Sequence, residues 1–317
     1  MTVGDVDIHL VEMGEGPLVL LVHGFPESWY SWRHQIPVLA AAGHRVVAID
    51  VRGYGGSSRP ARVEDYRMMR HVADNVALVE ALGERTALVV GHDWGAPIAW
   101  SSALLRPDVF RAVAGLSVPF APSGPTRPTD AFAAMGGDEE FYISYFQEPG
   151  RAEAEIEADV RGWLRGMYFT ASGEGVLAAL EGGLPPMSAV APGARMRDRF
   201  VEPGEPPAWM SEEDLDFYVG EFERSGLAGP LNRYRNVDRD WEDLAVMRHR
   251  PIEVPALFAG GELDGPTMWG GNAIDRFPTT LPRLHRSEIL PRCGHWVQQE
   301  RPDEVNDLLL DFLSAPR

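Results

Sequence analysis

The chain has 317 residues, 44% of them hydrophobic, which is enough for one large domain or for a core domain with an insertion. Its formal net charge of −18 argues against nucleic acid and anionic membranes as partners, because both are bound through basic patches. The longest strongly apolar run, Leu18–Val22, is too short to cross a bilayer, and residues 1–10 lack the basic and apolar regions of a signal peptide. Cys293 is the only cysteine, which excludes an internal disulfide and fits a reducing compartment. The sequence therefore predicts a cytoplasmic protein.

The first 117 residues alternate between strand and helix patterns. Short apolar runs predict strands at Val6–Met13, Leu18–Val22, Arg45–Asp50, Thr86–Val90 and Ala112–Leu116. Longer amphipathic or apolar patterns predict helices at Trp32–Ala42, Met68–Leu82 and Ala96–Leu105. Strands that alternate with helices are typical of the α/β class, with a mostly parallel sheet covered on both faces.

Beyond Pro119 the pattern changes. A linker rich in Pro and Ser is followed, from about residue 130 to 245, by helical periodicity with almost no strand-like runs. Strands then return at Val254–Ala259 and Leu284–Leu290, and Pro302–Leu313 predicts a closing helix. We therefore predict an α/β core domain made of residues 1–119 and 246–317. A helical cap, or lid, of residues 120–245 would lie over the carboxyl ends of the strands, where open α/β sheets bind ligands.

The strand at 86–90 leads into a turn with an unusual central residue. Gly91-His92-Asp93-Trp94-Gly95 has the strand–turn–helix context of a nucleophile elbow, but Asp93 occupies the position of the usual serine. The glycines let the backbone and the helix crowd around this residue. A carboxylate is already ionised at neutral pH and can displace a leaving group from saturated carbon, forming an ester with the enzyme. A separate base is then needed to hydrolyse that ester.

Two later loops supply candidates for the base and its partner. His295 follows the strand at 284–290, which brings it to the same edge of the sheet as the elbow. Asp264 follows the strand at 254–259 and is the expected orienting acid, with Glu262 as the fallback. The order nucleophile, acid, histidine is that of α/β-hydrolases, some of which carry the acid one strand earlier. Residues 116–119 have no carboxylate, which strengthens the assignment of Asp264.

Backbone N–H groups are expected to form an oxyanion hole beside Asp93. The turn His23-Gly24-Phe25-Pro26 follows the strand at 18–22, and we expect the N–H groups of Phe25 and Trp94 to point at the reacting carboxylate. Such donors become useful when water attacks the ester carbonyl. His23 and His92 are expected to be structural.

With these residues placed, the chain resembles the epoxide hydrolases of the α/β-hydrolase fold. The matching motifs are HGFPESWYSW (23–32), GYGGSS (53–58), GHDWGA (91–96), YFQEPG (145–150), GPLNRYRN (229–236) and CGHW (293–296). The resemblance implies Asp93 as nucleophile, His295 as base and Asp264 as its partner. It also implies Tyr142 and Tyr234 as donors to the epoxide oxygen, with Tyr145 ranked second.

The phenols have a physical reason as well. An opening epoxide creates an alkoxide, which is a poor leaving group unless it receives a hydrogen bond or a proton, and a pair of neutral phenols can supply one. We also expect Phe25, Pro26, Trp94 and Trp296 to contact the substrate. The expected ligands are a small apolar epoxide and water, with no cofactor and no metal. A homodimer is compatible with the sequence.

Two other functions are weighed against this one. A haloalkane or haloacid dehalogenase shares the fold, the aspartate and the base, but halide needs only donors such as the Trp94 indole, and no phenols. A binding protein on the same fold could lose catalytic residues, yet all five are present. The aromatic residues of the cap, such as Phe141 and Trp163, suit an apolar pocket but equally suit packing.

Overall fold

A computed structural model describes residues 1–204 and 206–315 of the chain. In chain order the strands are β1 (Thr2–Val3), β2 (Val6–Asp7), β3 (Leu10–Met13), β4 (Leu18–Val22), β5 (Arg45–Ile49), β6 (Ala87–His92), β7 (Phe110–Leu116), β8 (Glu140–Phe141), β9 (Ala189–Val190), β10 (Ala256–Gly261) and β11 (Leu284–Leu290). The helices are α1 (Ile36–Ala41), α2 (Met68–Ala81), α3 (Gly95–Leu105), α4 (Pro128–Gly136), α5 (Tyr142–Tyr145), α6 (Arg151–Glu157), α7 (Val160–Ala171), α8 (Gly173–Glu181), α9 (Glu212–Ser225), α10 (Ala228–Tyr234), α11 (Val237–Asp243), α12 (Gly265–Trp269), α13 (Gly271–Ile274), α14 (Phe277–Thr280), α15 (Val297–Glu300) and α16 (Pro302–Ser314). Short 3₁₀ helices span Trp29–Trp32, Val63–Tyr66, Met196–Arg199 and Ala245–Met247.

Seven of the strands form one sheet with the order β11-β10-β7-β6-β4-β5-β3. All neighbours are parallel except β3, which pairs with β5 in the antiparallel sense at the edge. The sheet therefore matches the predicted α/β class. Because β10 and β11 add on beside β7, the elbow strand β6 lies near the middle of the sheet.

The sheet separates the core into two apolar layers. Side chains alternate across a strand, so Leu20 and Val22 of β4 pack into one layer while Val19 and Leu21 pack into the other. Every residue of β4, β6 and β10 is buried, as expected for central strands covered by helices on both faces.

The structure corrects three sequence-based predictions. The strand predicted at Val6–Met13 divides into β2 and β3, since His9 between them is held by Ser57, whose hydroxyl accepts its N–H at 2.9 Å. The helix predicted at Trp32–Ala42 begins only at Ile36, because Pro37 lacks an N–H and belongs in the first turn of a helix. Strands β8 and β9 pair within a segment predicted as helical, but each has only two residues.

Residues 120–245 hold helices α4 to α11 and, in the part that the structure describes, contribute no strand to the seven-stranded sheet. Polar contacts join this segment to the rest of the chain, including the Met68 N–H, which donates to Asp240 at 2.7 Å, and the Tyr30 hydroxyl, which donates to Asp214 at 2.9 Å. The division into a core and a cap domain stays a prediction. None of the described helices combines the length and the apolar character that crossing a membrane requires.

Candidate active site

The predicted elbow is a tight turn between β6 and α3. Asp93 lies there with a φ of +49°, in the left-handed region, which costs a residue with a side chain roughly 1–3 kcal/mol. A Cβ atom added at Gly91 would lie 2.0 Å from the Gly95 carbonyl oxygen, and one added at Gly95 would lie 2.0 Å from the Val22 carbonyl oxygen. Backbone crowding thus requires both glycines.

One oxygen of the Asp93 carboxylate is held by the backbone and the other faces a histidine. Oδ1 accepts a hydrogen bond from the Phe25 N–H at 2.8 Å, and Oδ2 lies 3.3 Å from Nε2 of His295. Gly24 lies directly against the carboxylate, because a Cβ atom there would be 2.3 Å from Oδ1. The Phe25 N–H therefore contacts the group that it is predicted to serve, while the contribution of the Trp94 N–H stays a prediction.

Asp264 and His295 reach Asp93 from the last two strands of the sheet. Asp264 follows β10 and His295 follows β11, and the carboxyl ends of these parallel strands meet the end of β6 at one edge. Nδ1 of His295 lies 2.7 Å from Oδ1 of Asp264. Asp93 thus contacts His295, and His295 in turn contacts Asp264, as the sequence predicts for these three residues. Glu262, the fallback acid, instead accepts the Arg292 N–H at 2.8 Å.

The His295 imidazole is enclosed between two carboxylates. Burial disfavours its charged form, but Asp264 and then Asp93 outweigh burial and raise the pKa of His295 well above its ordinary value. The two carboxylates thus favour the imidazolium over the neutral imidazole.

A second carboxylate–imidazole pair lies behind His295. Nδ1 of His92 is 2.7 Å from Oε2 of Glu27, and Nε2 of His92 is 2.8 Å from the carbonyl oxygen of His295. Burial opposes the charge of Glu27, but the charge and hydrogen bond of His92 outweigh burial and lower the pKa of Glu27 to about 2. Both side chains are fully buried, so the pair supports the backbone of the His295 loop.

The hydroxyls of Tyr142 and Tyr234 differ from those of most tyrosines in the chain. The hydroxyls that donate to protein acceptors belong to Tyr30, Tyr66, Tyr145, Tyr168 and Tyr218. Within residues 1–204 and 206–315, those of Tyr142, Tyr234 and Tyr54 donate to no protein acceptor. Tyr145, the second-ranked candidate, is occupied by Glu155.

Tyr142 and Tyr234 lie together near Asp93. Their ring centroids are 6.3 Å apart, and the Tyr234 ring lies 5.0 Å from the Trp94 ring. Burial, and then the charge of Asp93, raise the pKa of both phenols well above the ordinary value. Both phenols therefore keep their protons at neutral pH and remain available as donors.

The four residues expected to contact the substrate differ in exposure. Trp94 is partly exposed, whereas the other three are buried: Pro26, Phe25 with 1% of its surface exposed, and Trp296 with 0%. The Trp296 indole N–H donates to the Tyr168 carbonyl at 2.8 Å, and its ring centroid lies 4.6 Å from that of His295. Trp296 thus packs against the predicted base, and contact of all four residues with a substrate stays a prediction.

Ser117 belongs to this cluster and is not among the residues predicted from the sequence. It follows β7, and its Oγ lies 2.8 Å from Oδ2 of Asp264 and 3.0 Å from Nδ1 of His295. The sequence draws attention to residues 116–119 only as a place for a carboxylate. The sequence signal that could have identified Ser117 is its place directly after an apolar strand that follows the elbow helix.

An apolar cavity of about 230 Å³ lies beside the elbow helix. Its lining includes Pro97 and Trp100 of α3, Val118 next to Ser117, and Leu244 of the 120–245 segment. Among the described residues, no group of three or more His, Cys, Asp or Glu side chains is arranged to hold a metal ion.

Known proteins share both the sequence and the fold of this chain. The model of the alpha/beta hydrolase fold family matches residues 17–172. Epoxide hydrolase B of Mycobacterium tuberculosis is 48% identical over 96% of this chain and 93% of the relative, and epoxide hydrolase A of that organism is 46% identical over 98% and 95%. A solved epoxide hydrolase from an endophytic Streptomyces is 66% identical, with a TM-score of 0.93 over 96% of this chain and 91% of that one. These matches confirm the predicted fold class and the family resemblance.

Proposed function

The chain belongs to the epoxide hydrolases of the α/β-hydrolase fold, and we propose that it adds water to its epoxide in two steps, through an ester on Asp93. One observation carries this proposal. The Asp93 carboxylate has Oδ1 held by the Phe25 N–H, while Oδ2 lies 3.3 Å from a histidine that is itself bonded to Asp264. This arrangement suits a nucleophile with a separate base.

In the first step, Oδ2 of Asp93 attacks one carbon of the epoxide ring. The C–O bond of the ring breaks, and its electron pair stays on the epoxide oxygen, which then needs a proton. Tyr142 and Tyr234 are the proposed donors, because their hydroxyls have no acceptor among the described residues and their raised pKa values keep them protonated. The products are an ester on Asp93 and a neighbouring hydroxyl group.

The charges around His295 connect the first step to the second. Forming the ester removes the negative charge of Asp93, which is one of the influences that raise the pKa of His295. The imidazolium therefore loses its proton more readily in the ester than in the free enzyme. We propose that the proton lost by His295 returns to the tyrosine that has protonated the alkoxide. His295 is then neutral and can act as the base in the next step.

In the second step, neutral His295 takes a proton from water, which attacks Cγ of the Asp93 ester. The Phe25 N–H, and by prediction the Trp94 N–H, stabilise the charge that grows on Oδ1. Asp264 stabilises the imidazolium. When the Cγ–Oδ2 bond breaks, the leaving Oδ2 receives the second proton of the attacking water, which until then is held on the oxygen added to Cγ. The diol thus leaves with Oδ2, Asp93 is again a carboxylate, and His295 is again protonated.

The surroundings of Asp93 favour a small apolar epoxide as substrate. The aromatic rings of Phe25, Trp94 and Tyr234 lie close together beside the carboxylate, with ring centroids 5.0–5.5 Å apart between Tyr234 and each of the other two. We propose that residues 120–245 act as a cap, since Tyr142 and Tyr234 come from this segment and the nucleophile comes from the rest of the chain. A cytoplasmic location and a homodimer stay predictions.

An isotope experiment tests the ester route. In a single turnover in ¹⁸O-labelled water, with enzyme in excess over epoxide, we expect unlabelled diol and one labelled oxygen in Asp93. The reason is that the diol leaves with Oδ2, while the oxygen of water stays on Cγ. Mass spectrometry of the diol and of the peptide that contains Asp93 gives the answer. Label only in the diol would show that water attacks the epoxide directly.

The two steps are expected to respond oppositely to pH. Ester hydrolysis needs neutral His295, so its rate should rise with pH through the pKa of His295 in the ester. Ester formation draws on the proton of the imidazolium, so its rate should fall as pH passes the pKa of His295 in the free enzyme. The pKa in the ester should be the lower one, because Asp93 no longer carries a charge. Rapid-quench measurement of both steps across pH tests this, and equal pKa values would contradict it.

A further inference from the structure

Ser117 is a fully buried serine in a backbone conformation that favours glycine. Its φ is +70°, its N–H donates to the Ala259 carbonyl at 2.8 Å, and its carbonyl accepts the Thr267 hydroxyl at 2.9 Å. Glycine would adopt this conformation more easily. A serine side chain at this position therefore calls for a role of its hydroxyl.

The hydrogen bonds around Ser117 determine where its proton lies. Oδ2 of Asp264 is 2.8 Å from Oγ and, in the ionised carboxylate, can only accept, so the Ser117 hydroxyl donates to it. A lone pair of Oγ then faces Nδ1 of His295 at 3.0 Å. Oδ1 of Asp264 lies 2.7 Å from the same nitrogen and is also an acceptor. The proton of His295 on Nδ1 is thus shared by two acceptors.

This arrangement selects one form of the neutral imidazole. With its proton held at Nδ1, neutral His295 carries its lone pair on Nε2, which is the nitrogen that faces Asp93. The Ser117 hydroxyl also fixes the rotation of the Asp264 carboxylate, together with two donors of Thr267, whose N–H lies 3.2 Å and whose hydroxyl lies 2.7 Å from Oδ2. Without the hydroxyl, Asp264 loses a donor on one oxygen and His295 loses an acceptor on the side away from the reaction.

We propose that Ser117 is a positioning residue for ester hydrolysis, holding Asp264 and His295 so that Nε2 of His295 faces the attacking water. The inference rests on the proposed function, because His295 acts as a base only in that step. Ester formation by Asp93 does not need the neutral imidazole and should not depend on Ser117.

Two substitutions separate the hydroxyl from the backbone conformation. Ser117→Ala removes the hydroxyl and keeps a Cβ atom at positive φ, whereas Ser117→Gly removes the hydroxyl and suits that φ. Ser102→Ala is the matched control, since Ser102 is also fully buried but its hydroxyl accepts a bond from Asn75. Rapid-quench mass spectrometry then measures formation and loss of the Asp93 adduct in each variant.

We expect both Ser117 variants to form the ester at nearly the normal rate and to hydrolyse it about 10- to 100-fold more slowly, the range for losing a hydrogen bond to a buried charged group. Ester should therefore accumulate in both and not in Ser102→Ala. Proton NMR should show the Nδ1 proton of His295 exchanging faster with solvent in both variants, a change that a packing role for Ser117 would not cause.

The other outcomes overturn the proposal in distinguishable ways. Normal ester hydrolysis in both variants would exclude a role of the hydroxyl while leaving the ester route intact. A defect in Ser117→Ala that is absent in Ser117→Gly would assign the effect to the backbone. If no adduct forms in any variant and the ¹⁸O label never enters Asp93, the ester route itself fails, and the role of Ser117 fails with it.

Discussion

In the Tyr142→Phe/Tyr234→Phe double variant, ester formation is expected to slow by about 10³-fold or more, because losing a single donor aimed at developing charge typically costs about 10²–10³ in rate. Each single variant should lose less than the double, since the remaining phenol can still donate to the epoxide oxygen. The rings are kept, so packing around Phe146, which lies 4.9 Å from the Tyr234 ring, should be preserved. Stopped-flow fluorescence measures ester formation before the steady state, provided that the ester quenches the fluorescence of Trp94 or Trp296.

The control for this variant is Tyr30→Phe, which removes a hydroxyl that donates to Asp214. It should form the ester at the normal rate. Near-normal diol formation by the double variant would show that the assigned donors are wrong. A double variant that still released halide at the normal rate from a haloalkane would indicate that the substrate is a halide, since a halide leaving group needs no phenol.

The His295→Gln variant is expected to form the ester on Asp93 and then to stall. General acid–base catalysis contributes typically about 10²–10⁴-fold to a step, and here the loss should fall mainly on ester hydrolysis, because ester formation draws on the imidazolium only for the proton that restores the tyrosines. The Oδ2 atom of Asp93 remains ionised and free to attack without the imidazole. Mass spectrometry should therefore detect the mass of one epoxide added to the peptide that contains Asp93.

His285→Gln is the matched control, because His285 lies at the start of β11, at the opposite end from His295, and bonds to exposed Asp311 at 2.8 Å. It should turn over normally and hold no adduct. Asp93→Asn combined with His295→Gln should also hold no adduct, which ties the added mass to Asp93. A His295→Gln protein that binds the epoxide and stays unmodified would mean that His295 is needed for the attack on the ring.

The positions of the main elements could be predicted because strong apolar runs and helical periodicity agree with the tertiary structure. Leu284–Leu290 is a strand as predicted, and α2 ends one residue before its predicted end. One error occurs where a single contact overrides the pattern. His9 interrupts an apolar run because Ser57, far along the chain, accepts its N–H, and no local pattern contains that information.

The candidate site was predictable to the extent that its residues end strands. Asp93, Asp264 and His295 follow β6, β10 and β11, whose ends meet because the strands are parallel neighbours. Ser117 and the Glu27–His92 pair were not predicted, because their significance comes from distances of 2.7–3.0 Å between segments far apart in sequence. Hydrogen-bond geometry of this kind requires the folded coordinates.

The strand order has a consequence for how the chain folds during synthesis. β7 is covered on one side by β6, but its other neighbour, β10, begins only at Ala256, after the whole 120–245 segment has been made. At ribosomal rates of about 5–20 residues per second, this nearly fully buried strand keeps an open edge for roughly seven to thirty seconds. A nascent chain therefore risks pairing with other unfinished chains at β7. β10 covers that edge, and the loops after β10 and β11 bring Asp264 and His295, the proposed acid and base, to Asp93. On the proposed ester route, the same two strands that close the sheet therefore also supply the groups that hydrolyse the ester.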